Sequence, residues 1–151
     1  MVTLMLTPER FATVLQNHGL KATERRMAIH NAMLDLGHAC AEDVSKYVQT
    51  KLGINITAVS VYTNLSRFAD LGIYSRCLSF DSRMYFDANP SKHINLYDTV
   101  NGQFKDIESP KTLELVENQF KGRRFRGYSI DGIAVQVLCH STSRTARKKK
   151  M

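Results

Sequence analysis

A chain of 151 residues, 43% of them hydrophobic, can build one ordinary domain or two small ones with real cores. No apolar run approaches the ~20 residues that cross a bilayer, and the opening MVTLMLTPERF has neither a basic n-region nor a small-residue cleavage site, so the expected location is cytoplasmic with no membrane partner. The net charge is +7, of which Arg144, Arg147, Lys148, Lys149 and Lys150 carry five in a basic tail over 141–151, and such a tail suits phosphate contact without sequence reading.

Thr7 followed by Pro8 predicts an N-capped first helix through Phe11, Val14 and Leu15 that ends before Gly19. Thr23 caps a second helix, in which Ile29, Ala32, Met33 and Leu36 form one stripe closed by Gly37. Lys21, Arg25 and Arg26 gather at its start. Cations there oppose the helix dipole, a placement that expects an anion nearby. A third helix covers 41–52 with Val44, Tyr47, Val48 and Leu52 inward. Cys40, Cys77 and Cys139 are widely spaced with no CxxC, which argues against a disulfide framework and a thiolate zinc site built within this chain.

The fourth helix organises the chain. Thr57 is its N-cap, the following stretch lacks Gly and Pro, and Gly72 closes it. Val61, Leu65 and Phe68 share a buried arc, while Val59, Ser60, Thr63, Ser66 and Arg67 face away, flanked by Tyr62 and Asn64. A solvated face normally carries Glu and Lys. Hydroxyls, an amide, an aromatic ring and one cation suit instead a helix whose N-terminus enters the DNA major groove. A hairpin from 74–80 and 83–86, joined at Asp81-Ser82 and flanked by Arg76 and Arg83, completes a winged helix over 1–86.

Residues 87–92, Asp87-Ala88-Asn89-Pro90-Ser91 and Lys92, read as a hinge. Beyond it come strands at 93–97 and 103–107 around the turn pair Asn101-Gly102. A helix follows from Ser109-Pro110 with Leu113, Val116 and Phe120 on one side, then a basic loop at 121–126 and a strand at 132–138. The chain is thus α+β, with a ββαβ unit at 93–140. About fifty residues bury too little core alone, and pairing with a second copy answers that deficit.

The segments GLKATERRMAIHNAML, LGHACAEDV, ITAVSVYTNLSRFADLGI, MYFDANPSKHIN and GQFKDI together resemble the ferric uptake regulator (Fur) superfamily over most of the chain. That resemblance implies a homodimeric, metal-responsive transcription factor that binds palindromic double-stranded DNA through the winged helix and dimerises through the C-terminal α/β domain. It implies that Tyr62 and Thr63 contact bases, that Lys21 reaches the neighbouring minor groove, and that Arg26 fills the family's arginine position; the helix face and wing read above add Ser60, Asn64, Arg67, Arg76 and Arg83 to the expected DNA interface. Thr63 stands where the family usually has arginine, which removes a donor to guanine or phosphate. The resemblance places a regulatory metal at His38, Asp87, His93 and Asp106, with Asn95 where a second histidine is usual. Two imidazoles, two carboxylates and an amide oxygen suit iron(II) or manganese(II), with zinc(II) a substitute in vitro.

Two departures follow from the same comparison. Asn95 replaces one of the histidines that the peroxide-sensing branch oxidises, which argues against full peroxide sensing. Asp98 and Asn101 stand at the first of the family's two CxxC pairs and only Cys139 survives of the second, so the structural zinc is expected to be absent, as in the iron-response regulator (Irr) branch. Some members of that branch respond to haem, which makes a haem- or iron-status-responsive regulator the alternative, beside a regulator whose metal site is vestigial. The chain has no nucleophile elbow, HExxH, P-loop or Gly-rich dinucleotide loop, which argues against an enzyme. A metal-buffering protein would need neither the reader helix nor the basic wing. The expectation is a repressor of metal-homeostasis or oxidative-stress genes.

Overall fold

Three threonines set the starts of three helices. In the computed structural model, which describes residues 5–142, Thr7, Thr23 and Thr57 each accept a hydrogen bond from the backbone N–H three residues on, at Arg10, Arg26 and Ser60. They open α1 (Pro8–Asn17), α2 (Glu24–Leu36) and α4 (Ala58–Asp70), and each such cap stabilises its helix by roughly 1 kcal/mol. α4 ends where Gly72, at φ +77°, lets the chain reverse. The Ile73 and Gly72 N–H groups then donate back to the Phe68 and Ala69 carbonyls, a closure that only a left-handed residue permits. The basic residues 144–150 lie outside the described residues.

Between α2 and α4 the chain forms β1 (His38–Cys40) and α3 (Ala41–Lys51). β1 is too short to leave a periodic signal in the sequence. The connection from α3 to α4 is held from below, because the Ser45 hydroxyl and the Gln49 amide both donate to the Ile56 carbonyl, at 2.9 and 2.6 Å. Those two bonds fix the residue before the cap of α4.

The expected hairpin is shorter than its β-prone runs. β2 (Ser75–Cys77) and β3 (Tyr85–Asp87) pair, and β1 adds to the other side of β3, giving the antiparallel order β1-β3-β2. The wing loop is organised by Asp81, whose carboxylate accepts from Ser79, the Arg83 N–H and the Tyr85 hydroxyl. Leu78 and Phe80, read as strand, are exposed.

Residues up to Ser91 form one compact unit and those from Lys92 a second. The first holds a large core from α1 to α4 and β3, in which Val61, Leu65 and Phe68 are fully buried. Its centre is aromatic. Phe11 stacks on His30 at 3.9 Å and meets Phe68 edge-on at 5.2 Å. Asp87, read as hinge, belongs to β3 of this unit.

The second unit contains β4 (Ile94–Asp98), β5 (Gln103–Ile107), α5 (Pro110–Phe120) and β6 (Gln136–Cys139). β4 is central, antiparallel to β5 and parallel to β6. Its buried apolar residues are few: Ile94, Tyr97 and Leu113, while Leu115, Val137 and Leu138 stay exposed at 65%, 43% and 52%. Of the apolar side expected on α5, only Leu113 is buried.

His30 carries a pH dependence. It is fully buried, with Nε2 2.7 Å from the Leu6 carbonyl and Nδ1 2.6 Å from the Tyr74 hydroxyl. The carbonyl can only accept, so Nε2 bears the hydrogen and Nδ1 accepts from Tyr74. A second ring proton would remove the Nδ1 lone pair that accepts from Tyr74, and burial pushes the His30 pKa below its usual 6.5. The unfolded chain therefore binds the extra proton first. The stabilisation is complete above pH 6.5 and is lost as pH falls below it, by up to ~1.4 kcal/mol per pH unit. Urea midpoints measured between neutral and mildly acid pH should fall in the native chain, and His30→Phe should flatten that dependence while lowering the neutral-pH midpoint.

Candidate functional site

The outer side of α4 has Val59, Tyr62, Thr63 and Arg67 exposed, with Val59 at 77% and Tyr62 at 46%. Tyr62 leans its ring edge-on against Phe86 of β3, 6.0 Å between centroids, so a buried strand sets the direction of an exposed ring. Thr63 donates its hydroxyl to the Val59 carbonyl at 3.0 Å. Asn64 is held at both ends of its amide, donating to the Ser60 carbonyl at 2.9 Å and accepting from Arg26 Nε at 3.1 Å.

Arg26 thus ties the start of α2 to α4, and its other arm donates to the Lys21 carbonyl at 2.8 Å. Lys21, Arg25, Arg26, Ser60 and Asn64 line a single surface groove. This is the cation cluster expected from sequence, brought against the N-terminal half of α4. The Arg26–Asn64 bond had no signal in the chain, since it spans 38 residues. Arg83 lies at the wing loop, where its N–H and carbonyl are both bound. Arg76 sits lower, within β2, ion-paired to Asp70 at 2.8 Å, bonded to the Ser66 carbonyl and lying over the Phe86 ring. It therefore braces α4 against the sheet.

Each unit carries one histidine–carboxylate pair. In the first, His38 and Asp87 are direct partners across β1 and β3, and His38 Nε2 lies 2.9 Å from Asp87 Oδ2. Asp87 is almost fully buried and its other oxygen accepts from the Asn89 N–H. In the second, His93 Nε2 lies 3.0 Å from Asp106 Oδ1 and 3.0 Å from Asn95 Oδ1. Asn95 and Asp106 are cross-strand partners in β4 and β5. A separation near 3 Å serves a direct ion pair, and it is also the edge of an octahedron whose ligands lie about 2.1 Å from a shared ion. An imidazole with a carboxylate is a borderline donor set that fits iron(II) or manganese(II).

The positions expected to lack the structural zinc hold a different device. Asp98 accepts from the N–H groups of Val100 and Asn101 and from the Asn101 side chain, at 2.9, 3.0 and 2.9 Å. Those bonds hold its carboxyl pKa below the usual carboxylate value. Thr99 donates twice to the Cys139 carbonyl, from its N–H at 2.9 Å and its hydroxyl at 3.1 Å. One thiol and a carboxylate already saturated by donors do not make a tetrahedral zinc site. Hydrogen bonds join the ends of β4 and β6 instead.

The sequence profile of the ferric uptake regulator family matches residues 17–136. The peroxide-responsive repressor PerR of Staphylococcus epidermidis is 28% identical over 102 residues, 67% of each chain. The fold is similar to that of the Vibrio cholerae ferric uptake regulator, with a TM-score of 0.68 at 19% identity, covering 87% of this chain and 99% of that one. It is also similar to the Pseudomonas aeruginosa ferric uptake regulator with manganese, with a TM-score of 0.62 at 24% identity, covering 87% and 97%.

Asp98→Ala should loosen the β4–β5 turn locally. Amide exchange at Val100 and Asn101 is expected to accelerate about tenfold, read by hydrogen exchange, with protection in α1 to α4 unchanged.

Proposed function

Because the chain belongs to the ferric uptake regulator family, whose members are transcription regulators and not enzymes, we propose that it is a homodimeric repressor that binds palindromic double-stranded DNA in the cytoplasm. Its affinity is set by one divalent cation, iron(II) or manganese(II), held by His38, Asp87, His93 and Asp106, with Asn95 as a weaker fifth ligand. The observation that carries this reading is the pair of histidine–carboxylate couples, one in each unit. Asp87 and His93 are separated by six positions, so the connecting chain spans at most about 20 Å and allows the two couples to meet.

A bound cation supplies positive charge that offsets two carboxylates. His38 and Asp87 move with the reader unit, and His93 and Asp106 with the other. Shared ligation by all four favours the interdomain angles that permit it, and a palindrome rewards only those angles that bring both reader helices of a dimer into register. The exposed Leu115, Val137 and Leu138 of a unit with few buried residues support pairing with a second copy. Thr63 in place of the family's usual arginine implies an operator different from that of relatives. Haem has less support, since His38 and His93 each hold a carboxylate at 2.9 and 3.0 Å.

Two measurements test this. His93→Ala should weaken manganese-dependent binding to an operator duplex at least about tenfold while light scattering still reports a dimer; unchanged metal dependence would mean a vestigial site. Tyr62→Ala should lower the ratio of operator to random-duplex affinity about tenfold, and an unaltered ratio would remove α4 as the reader.

A further inference from the structure

We infer that this chain reads part of its operator through thymine C5-methyl groups, contacted by Val59 and by the γ-methyl of Thr63, an inference that rests on α4 being the reader. A hydrogen-bonding reader needs free donors and acceptors on its outer face, and here those of Thr63 and Asn64 are already engaged. The Thr63 hydroxyl hydrogen goes to the Val59 carbonyl. An asparagine reads adenine with its oxygen and nitrogen together, but Asn64 spends its oxygen on Arg26 and a nitrogen hydrogen on the Ser60 carbonyl. At the second position of the helix, the exposed side chain is apolar.

Val59 occupies the second position of α4 and is 77% exposed. Valine there contributes nothing to capping and little to helix propensity. Thr63 lies one turn on, on the same side. Its hydroxyl is turned to the backbone, which leaves the γ-methyl as its outward group. The patch is flanked by cations: Lys21 and Arg26 on the groove beside α4, Arg67 further along the helix, and Arg83 at the wing. A small apolar stripe set among cations matches a polyanion that offers isolated methyl groups, and thymine is the only unmodified base that presents one in the major groove.

The test uses the full chain with manganese(II). Selection from a random duplex pool yields its preferred site, and each thymine of that site is then replaced by uracil, which keeps every hydrogen-bonding group and removes one methyl. At one or two positions per half-site, uracil should weaken binding about fourfold, the worth of one buried methyl group. Val59→Ala should abolish the penalty at one of those positions and Thr63→Ser at another, while each variant still binds the duplex. Both substitutions are at exposed positions and leave the fold intact. A selected site at which uracil is tolerated everywhere would overturn the inference while leaving DNA binding standing. If no duplex is selected, the regulatory reading and this inference fail together. If Val59→Ala instead changes the oligomer seen by light scattering and leaves uracil tolerance complete, the stripe is a protein contact and the inference is overturned.

Discussion

Strand β3 is three residues long, and the alternation of its side chains decides where the rest of the first unit can go. Tyr85 and Asp87 must point to one side of the sheet and Phe86 to the other. Phe86 enters the helical core, fully buried, and Asp87 is left opposite His38 across the ladder. A shift of one residue in register would bury the carboxylate among the helices and expose the ring. The same ring supports Tyr62 on the reader helix and lies beneath Arg76, whose guanidinium ties that helix to β2. One aromatic side chain thus aligns the outer face of α4, and its backbone neighbour belongs to the proposed metal site.

The reader helix is held more firmly than its surface chemistry suggests. From below, Ser45 and Gln49 bind the carbonyl that precedes its cap. From the side, Arg26 bonds Asn64. At its far end the chain turns back through Gly72 onto Phe68. Polar side chains that look available in sequence are partly consumed by this bracing. A helix so held presents its exposed groups with little entropy left to lose on binding, which favours shape-specific contacts with small methyl groups over adaptable hydrogen bonds.

Much of this was legible in the chain because it is local. Three threonine caps act on the N–H three residues on, Gly72 marks a reversal, and Asn101-Gly102 marks a turn, so the helix starts and the span of β5 follow from neighbours in sequence. The β-prone Tyr74, Leu78 and Phe80 suggest longer wing strands, but the ladder runs only over Ser75–Cys77 and Tyr85–Asp87, and Leu78 and Phe80 lie exposed. β1 escaped because three residues carry no period. The His38–Asp87 couple spans 49 positions and exists only through strand register; it came from the resemblance to a family and not from spacing. The Arg26–Asn64 tie is likewise non-local. The length of the ββαβ unit, about fifty residues, predicts a small core, and few of its side chains are buried.

The Asp98-Asn101 turn has a consequence for endurance. Where paired cysteines grip a metal, an oxidant that converts thiolates to disulfides or sulfenic acids dismantles the grip. Carboxylate, amide and backbone groups are indifferent to such reagents. With Cys40 and Cys77 buried and burial pushing the Cys40 thiol up to about 11, the more accessible thiol is Cys139. This turn should therefore outlast an oxidant that would strip a metal from paired thiolates.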